Sequence, residues 1–251
     1  MPVDNNAAVR ISAFNWVPPF AQGQVRDLRP RWALEEAGIS YAVRKLDATT
    51  ERPADYYEEQ PFGQVPSYHD DIVSLFESGA IVMYIGRDCE ALLPSDPADR
   101  ARATAWLFAA LNSVEPYLMQ LATIDIFAAG EEWARLRRPG VIEMIDKRLS
   151  RLSDALGDKD YLDADRFTAG DLMMTTVLRI SDGTGLLEKY PNLVAYKARC
   201  QARPAFRAAL AAHIADFEQR SSGSDPIAAH GPIPRELYAV RLAKRPAPRP
   251  R

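Results

Sequence analysis

The chain has 251 residues, 47% of them hydrophobic and 26% charged, with a formal net charge of −3 at pH 7. That length and balance suit one large domain or two small ones with a sizeable core. So small a net charge excludes a global field for holding a nucleic-acid backbone or an anionic membrane, and neither partner is expected.

Residues 1–9 are a short polar lead. The opening MPVDNNAAVRISAF lacks the basic, apolar and small-residue succession of a secretion signal, and no apolar run approaches the roughly 20 residues of a membrane span. A cytoplasmic location is therefore expected. VRISAFNW reads as a buried strand, and PRWALEEAGI (Pro30 to Ile39) as a helix stopped at Gly38. SYAVRKLD alternates as a second strand, and residues 49–61 form a connection. Two short strands between Val65 and Phe76 flank the tight turn HDD, and SGAIVMYIGRDC reads as a helix. Two helical crossovers feeding a mixed sheet indicate a small α/β unit over residues 10–88.

Residues 89–97 carry two prolines and read as a linker, with Ser95 or Asp96 as the cap of the next helix. From 98 to 220 strand signals nearly vanish. Apolar residues recur at helical spacing in ATAWLFAALNSVEPYLMQL, EEWARLRR, VIEMIDKRLSRLSDAL, DLMMTTVLRI, LVAYKARCQ and AFRAALAAHIADFEQ, so an all-helical domain of five or six helices is expected. Within it, Thr168 and Asp171 have the spacing of a capping box, with Phe167 and Leu172 at the staple positions. Residues 221–251, rich in Pro, Ser and Arg, are expected to be a tail. Cys89 and Cys200 are far apart and the three histidines are scattered, so reduced structural thiols and no metal site are expected.

Two features suggest chemistry. Val65-Pro66 opens a strand with a proline whose X-Pro bond can be cis, exposing the preceding backbone for pairing with an extended peptide. Glu77-Ser78 begins a helix: Ser78 is a natural N-cap beside an anion-binding N-terminus, and Glu77 can accept from an ammonium group. Each alone has a plainer reading, as an edge-strand start and as a simple helix cap. Pro66 and Glu77 are eleven positions apart, and a hairpin between them puts both on one side of the sheet. A backbone clamp beside a pocket for a carboxylate and an ammonium describes a site for γ-glutamyl-cysteinyl-glycine.

The run QPFGQVPSYHDDIVSLFESGAIVMYIGR resembles the signature of the glutathione S-transferase superfamily. RWALEEAGISYAVRKLD is similar to that family's first helix and second strand, FTAGDLMMTTVL to its helix-start motif, and YPNLVAYKARCQARPAFRAAL to its closing helices. The resemblance spans roughly residues 10 to 217. It implies an α/β thioredoxin-like domain followed by an all-α helical bundle, glutathione as co-substrate, no metal, a homodimer, and conjugation of glutathione to a small, apolar electrophile in detoxification. It also implies that Gln64 and Val65 clamp the cysteinyl backbone, that a cis Pro66 shapes the turn, and that Glu77 and Ser78 hold the γ-glutamyl head.

The family's usual thiol-activating group lies between the first strand and helix, yet FNWVPPFAQGQVRDLRPRW contains no Tyr, Ser, Thr or Cys. A free thiol needs a positioned donor or a helix N-terminus to become a thiolate at neutral pH. The candidates are Asn15 and Gln24 first, then Arg26, the Trp16 indole and backbone N–H groups. Two starts are open for the helix: Asp27 as N-cap with Pro30 in the first turn, or a kinked helix from near Gly23. The substrate pocket is expected to draw on Trp16, Phe20, Trp106, Phe108 and Asn112, with Pro18, Pro19 and Tyr117 nearby. Two other activities fit the scaffold: glutathione-dependent reduction of a disulfide or peroxide, and glutathione binding without catalysis.

Overall fold

The computed structural model describes residues 3–163 and 166–217. Its first part is a four-stranded mixed sheet in the order β2-β1-β3-β4, formed by β1 (Val9–Phe14), β2 (Tyr41–Leu46), β3 (Ser67–His69) and β4 (Ser74–Phe76). β1 pairs in parallel with β2, from Val9 opposite Tyr41 to Phe14 opposite Leu46, and antiparallel with β3. The parallel pair requires a crossover, which α1 (Leu28–Ala37) supplies. A short helix α2 (Tyr56–Glu59) interrupts the connection expected to be irregular, and α3 (Ser78–Gly86) closes the unit.

α1 begins at Leu28 with Asp27 at the N-cap, so Pro30 occupies the first turn, where its missing N–H leaves no carbonyl unpaired. Of the two starts open from the sequence, the unkinked one is found. The helix stops at Gly38, which takes φ 68°, while Ile39 N–H reaches back to Leu34 O. Trp32, Ala33 and Leu34 are buried against Ile11, Ile81 and Val82.

The second part is helical: α4 (Pro97–Ala109), α5 (Glu115–Ala122), α6 (Glu132–Leu156), α7 (Ala169–Leu178), α8 (Pro191–Gln201) and α9 (Pro204–Ala215). Asp96, not Ser95, caps α4, its Oδ1 accepting from Ala98 N–H and Asp99 N–H at 2.9 Å each. The single helix expected over 103–121 is instead α4 and α5 joined by a π-type turn at 110–114. Pro116 explains the widening: it cannot donate to the carbonyl four residues back, and Glu115 N–H bonds to Ala110 O, five back. Conversely, the two helices expected over 131–156 are one, with Pro139 inside α6. Arg135, whose carbonyl loses its partner there, is exposed, so water can satisfy it. The expected end of the last helix at Gln219 and the expected tail at 221–251 lie outside the described residues. Among the described residues no helix is long and apolar enough to cross a membrane.

α7 is the axis of this part, with all ten residues buried. Its capping box forms as the spacing predicts: Thr168 Oγ1 accepts from Gly170 N–H at 3.2 Å, and Asp171 Oδ2 accepts from Thr168 N–H at 2.8 Å. Asp171 does more than cap, since its Oδ1 accepts from Leu162 N–H at 2.9 Å and from the Tyr196 hydroxyl at 3.0 Å. Gly170 is required by packing, because a Cβ there would lie 2.6 Å from Trp106 Cβ. Truncating the cap should cost less than truncating the hub. Thr168→Ala should lower stability by about 1 kcal/mol. Asp171→Ala leaves several buried donors unpaired and should cost about 3 kcal/mol or more. Urea unfolding compares the two, and equal losses would contradict the hub role.

Candidate functional site

The hairpin expected to form a binding surface is built on a buried hydroxyl chain. Ser12 Oγ on β1 lies 2.6 Å from the Tyr56 hydroxyl, and Tyr56 donates to Gln64 O at 2.6 Å. Ser67 N–H then donates to Ser12 Oγ at 2.7 Å. Three hydroxyl-mediated bonds therefore hold the backbone on both sides of Val65-Pro66, whose peptide bond is cis. No hydrogen bond ties the Val65 N–H or C=O among the described residues, so both remain open for pairing. Asp70 turns the chain between β3 and β4, its Oδ1 accepting from Ile72 N–H and Val73 N–H at 2.8 Å.

At the other end of the hairpin the expected cap is displaced by one residue. Glu77, not Ser78, is the N-cap of α3, because its carbonyl accepts the first helical bond, from Ile81 N–H at 3.0 Å. Glu77 takes φ 68°, the left-handed region that a glutamate enters at a cost of about 1–3 kcal/mol, as residues at binding sites often do. Its side chain is exposed. Ser78 is the first helical residue, buried, and its Oγ accepts from Arg29 Nη1 at 3.0 Å. Gly79 lets α3 approach the α4–α5 turn, since a Cβ there would sit 2.7 Å from Leu111 Cδ1.

Arg29 was not singled out from sequence, yet it joins three elements. From α1 it reaches Ser78 on α3, and its Nη2 donates to Glu115 Oε1 on α5 at 2.9 Å. Arg26 adds two further bonds to the same oxygen, at 3.1 Å from Nε and 2.9 Å from Nη2. The side chains of Arg29 and Glu115 are 4% and 7% exposed, whereas that of Arg26 is 41% exposed and can reach a ligand. Burial pushes the Glu115 carboxyl up, but the two guanidinium groups outweigh it and hold it below its ordinary range. A sequence signal existed: Glu115 is the sole acid in a long apolar helical run, and Arg26 and Arg29 are one turn apart.

These groups floor a cavity of about 580 Å³ between the two parts of the chain. Its hairpin wall includes Gln64 and Val65; its opposite wall includes Met119, Phe127 and Arg179. Of the residues expected in a substrate pocket, Phe20 lines it, packed edge-on against Phe127 with ring centroids 6.3 Å apart. The others do not. Trp16 is buried, Trp106 is packed on Gly170, and Phe108 and Asn112 are exposed to solvent. Gln24 lines the cavity, but its Nε2 donates to Arg179 O at 3.3 Å. Asn15 does not line it, and Asn15 Oδ1 is buried without a hydrogen-bond partner. Cys89 and Cys200 are free, and burial pushes the Cys200 thiol up to about 12. Among the described residues no three His, Cys, Asp or Glu side chains gather as metal ligands.

A family profile described as the glutathione S-transferase N-terminal domain matches residues 21–87, and one described as the C-terminal domain matches residues 100–199. A glutathione S-transferase of Escherichia coli O157:H7 is 29% identical over 187 residues, covering 71% of this chain and 90% of its own. Among solved structures, a glutathione transferase family member from Pseudomonas fluorescens, with two glutathione bound, superposes with a TM-score of 0.73 at 20% identity. It covers 83% of this chain and 95% of its own. A theta-class glutathione S-transferase from Xanthomonas axonopodis, with glutathione bound, gives 0.67 at 25% identity, covering 81% and 97%.

The arginine–glutamate cluster has a signed pH dependence. Because the Glu115 carboxyl is held below its ordinary value of 4.5 in the folded protein, the stability it contributes is present above that value and is lost as pH falls through the lowered one. Glu115→Gln should therefore cost about 3 kcal/mol at pH 7, and the gap to the parent protein should narrow below about pH 4. Urea midpoints measured from pH 7 to pH 3 check this, and a gap that widens toward acid would contradict it.

Proposed function

The chain belongs to the glutathione S-transferase superfamily, and on that premise we propose that it transfers the glutathione thiolate to a small electrophile held in the cavity between its two parts. The single observation that carries the reading is that the open Val65 backbone and the Arg26–Arg29 pair border one cavity. Glutathione, as co-substrate, lays its cysteinyl backbone along Val65 N–H and C=O beside cis Pro66 and Gln64. The γ-glutamyl head sits at Glu77 and Ser78, with the carboxylate on the Ser78 hydroxyl and the α3 N-terminus and the ammonium on Glu77.

The thiol then lies toward the start of α1. Gln24 has spent an amide hydrogen on Arg179 O and Asn15 lies off the cavity, so we assign thiolate stabilisation to Arg26, whose guanidinium is partly exposed at the cavity floor. A nearby cation favours the charged form of a thiol whose free pKa is about 8.5. The thiol proton passes to solvent. The sulfur forms a bond to the electrophilic carbon while the leaving group departs with its electron pair. The lack of a cysteine between β1 and α1 favours this conjugation over a reaction through a protein–glutathione disulfide. The protein works in this reading as a cytoplasmic homodimer, with the exposed Phe62–Phe76 pair, centroids 6.2 Å apart, offering apolar surface to a second copy.

Ultraviolet titration of the thiolate in bound glutathione tests the mechanism. Its pKa should fall about 1–2 units below the free value in the parent protein and recover most of that in Arg26→Leu; an unshifted parent value would overturn it. For the head group, Ser78→Ala should weaken glutathione binding about tenfold by calorimetry, and unchanged affinity would remove that assignment. Faster turnover of a disulfide or hydroperoxide than of an aromatic halide would favour reduction.

A further inference from the structure

The wall of the cavity opposite the hairpin carries a cation that the reading above does not use. Arg179, at the end of α7, lines the cavity half-buried. Its Nη2 donates to Gly23 O at 2.8 Å and its guanidinium lies 5.3 Å from the Phe206 ring centroid. Among the described residues no carboxylate comes within ion-pair distance of it. The acid nearest in effect is Asp182, whose carboxylate is already paired with Lys197 Nζ. Burial disfavours the Arg179 charge, and Asp182 offsets that only in part. Four arginines, Arg26, Arg29, Arg52 and Arg179, face two carboxylates, Glu115 and Asp182, around the cavity.

The cations divide by position. Arg29 is bound to Ser78 and Glu115, Arg26 to Glu115, and Arg52 to Gly63 O on the hairpin side. Those three belong with the peptide. Arg179 belongs to the helical part and reaches the loop before α1 at Gly23; around it Met119, Ile126, Phe127 and Ile180 make the wall largely apolar, with Thr176 and Asp182 as its polar members. A half-buried guanidinium set in an apolar wall suits a ligand with an apolar body and a planar anionic end, because its fork of donors matches a carboxylate.

Resting on the transferase reading, we propose that the electrophile is a carboxylate-bearing apolar molecule and that Arg179 binds its carboxylate. This narrows the apolar electrophile expected from sequence. For an aryl chloride, the sulfur–carbon bond forms and the carbon–chlorine bond breaks, chloride leaving with the electron pair and the thiol proton having gone to solvent.

The test compares two probes with one reacting centre, 4-chloro-3-nitrobenzoate and 4-chloro-3-nitrobenzamide. The readout is the ratio of their kcat/KM values in the full-length protein, which cancels differences in intrinsic reactivity when the same ratio is compared between variants. Arg179→Met should lower the benzoate-to-benzamide ratio by about 10-fold or more, and Arg179→Lys, which keeps the charge but loses the fork, by less. An unchanged ratio would overturn the proposal, even if both rates fall because the Gly23 anchor is lost. A raised KM for glutathione with an unchanged ratio would assign Arg179 to the peptide and overturn it equally. If the parent protein turns over neither probe yet binds glutathione with an unshifted thiol pKa, the transferase reading itself has failed. Should Arg179→Met not fold, the Arg179→Lys ratio and competitive inhibition of the parent by benzoate against benzamide decide: equal inhibition by the two would overturn the proposal.

Discussion

The buried guanidinium of Arg29 is the constraint on which the site depends. A cation that is almost wholly withdrawn from water must be neutralised and hydrogen-bonded, or it would cost several kcal/mol. Glu115 and Ser78 meet that requirement from two other helices. The start of α1, the start of α3 and the start of α5 are thereby fixed relative to one another by one side chain. These are the places where the thiol, the γ-glutamyl head and the electrophile converge in the proposed reaction. The bond geometry that stabilises the charge thus also aligns the site.

The loop from Trp16 to Arg26 is held by the same economy on its other flank. Arg179 donates to Gly23 O while Gln24 donates to Arg179 O, so one residue of α7 grips two consecutive positions of the loop. Gly23 takes φ 78°, and a Cβ there would meet Arg179 Nη2 at 3.2 Å and Leu210 Cδ1 at 3.3 Å. The positive φ favours glycine there, and the space for a Cβ is tight. Phe20 against Phe127 completes the contact. The loop also carries hydrogen bonds of its own, among them Ala21 N–H to Pro18 O at 2.8 Å and Gln24 N–H to Ala21 O at 3.0 Å, and the helical part anchors it from outside.

Local signals carried far in the sequence. The succession of strands and helices, the Gly38 stop, the capping box at Thr168 and the hairpin between Val65 and Phe76 follow from periodicity and turn chemistry, which act over a few residues. What escaped depended on long-range geometry. EEWARLRR and VIEMIDKRLSRLSDAL read as two helices, whereas α6 runs through Pro139, where the carbonyl that loses its partner is exposed and water replaces the bond. Trp106, Phe108 and Asn112 are expected in the pocket, yet none of them lines the cavity. Beyond the π-type turn before Pro116, Glu115 and Met119 line it instead. Arg29 and Glu115 are 86 positions apart, and no local pattern announces that pairing.

The absence of a hydroxyl or thiol between Phe14 and Trp32 reads differently once the cavity is known. A single hydroxyl donor stabilises a thiolate by one directed bond, and its loss would leave a bare peptide site. In the proposed reaction Arg26 supplies charge to the sulfur instead, and charge acts over a longer range and with looser geometry than a hydrogen bond. Such a site pays for that tolerance in selectivity, because the same field draws any anion into the cavity. Dividing the cations between walls resolves the conflict. Arg29 and Arg26 are largely committed to Glu115, so the floor presents roughly one net charge to the thiolate. Arg179 stands apart with its charge unspent. An anionic electrophile held on Arg179 is thereby given a cation other than those of the floor that serve the thiolate, which a neutral wall could not supply.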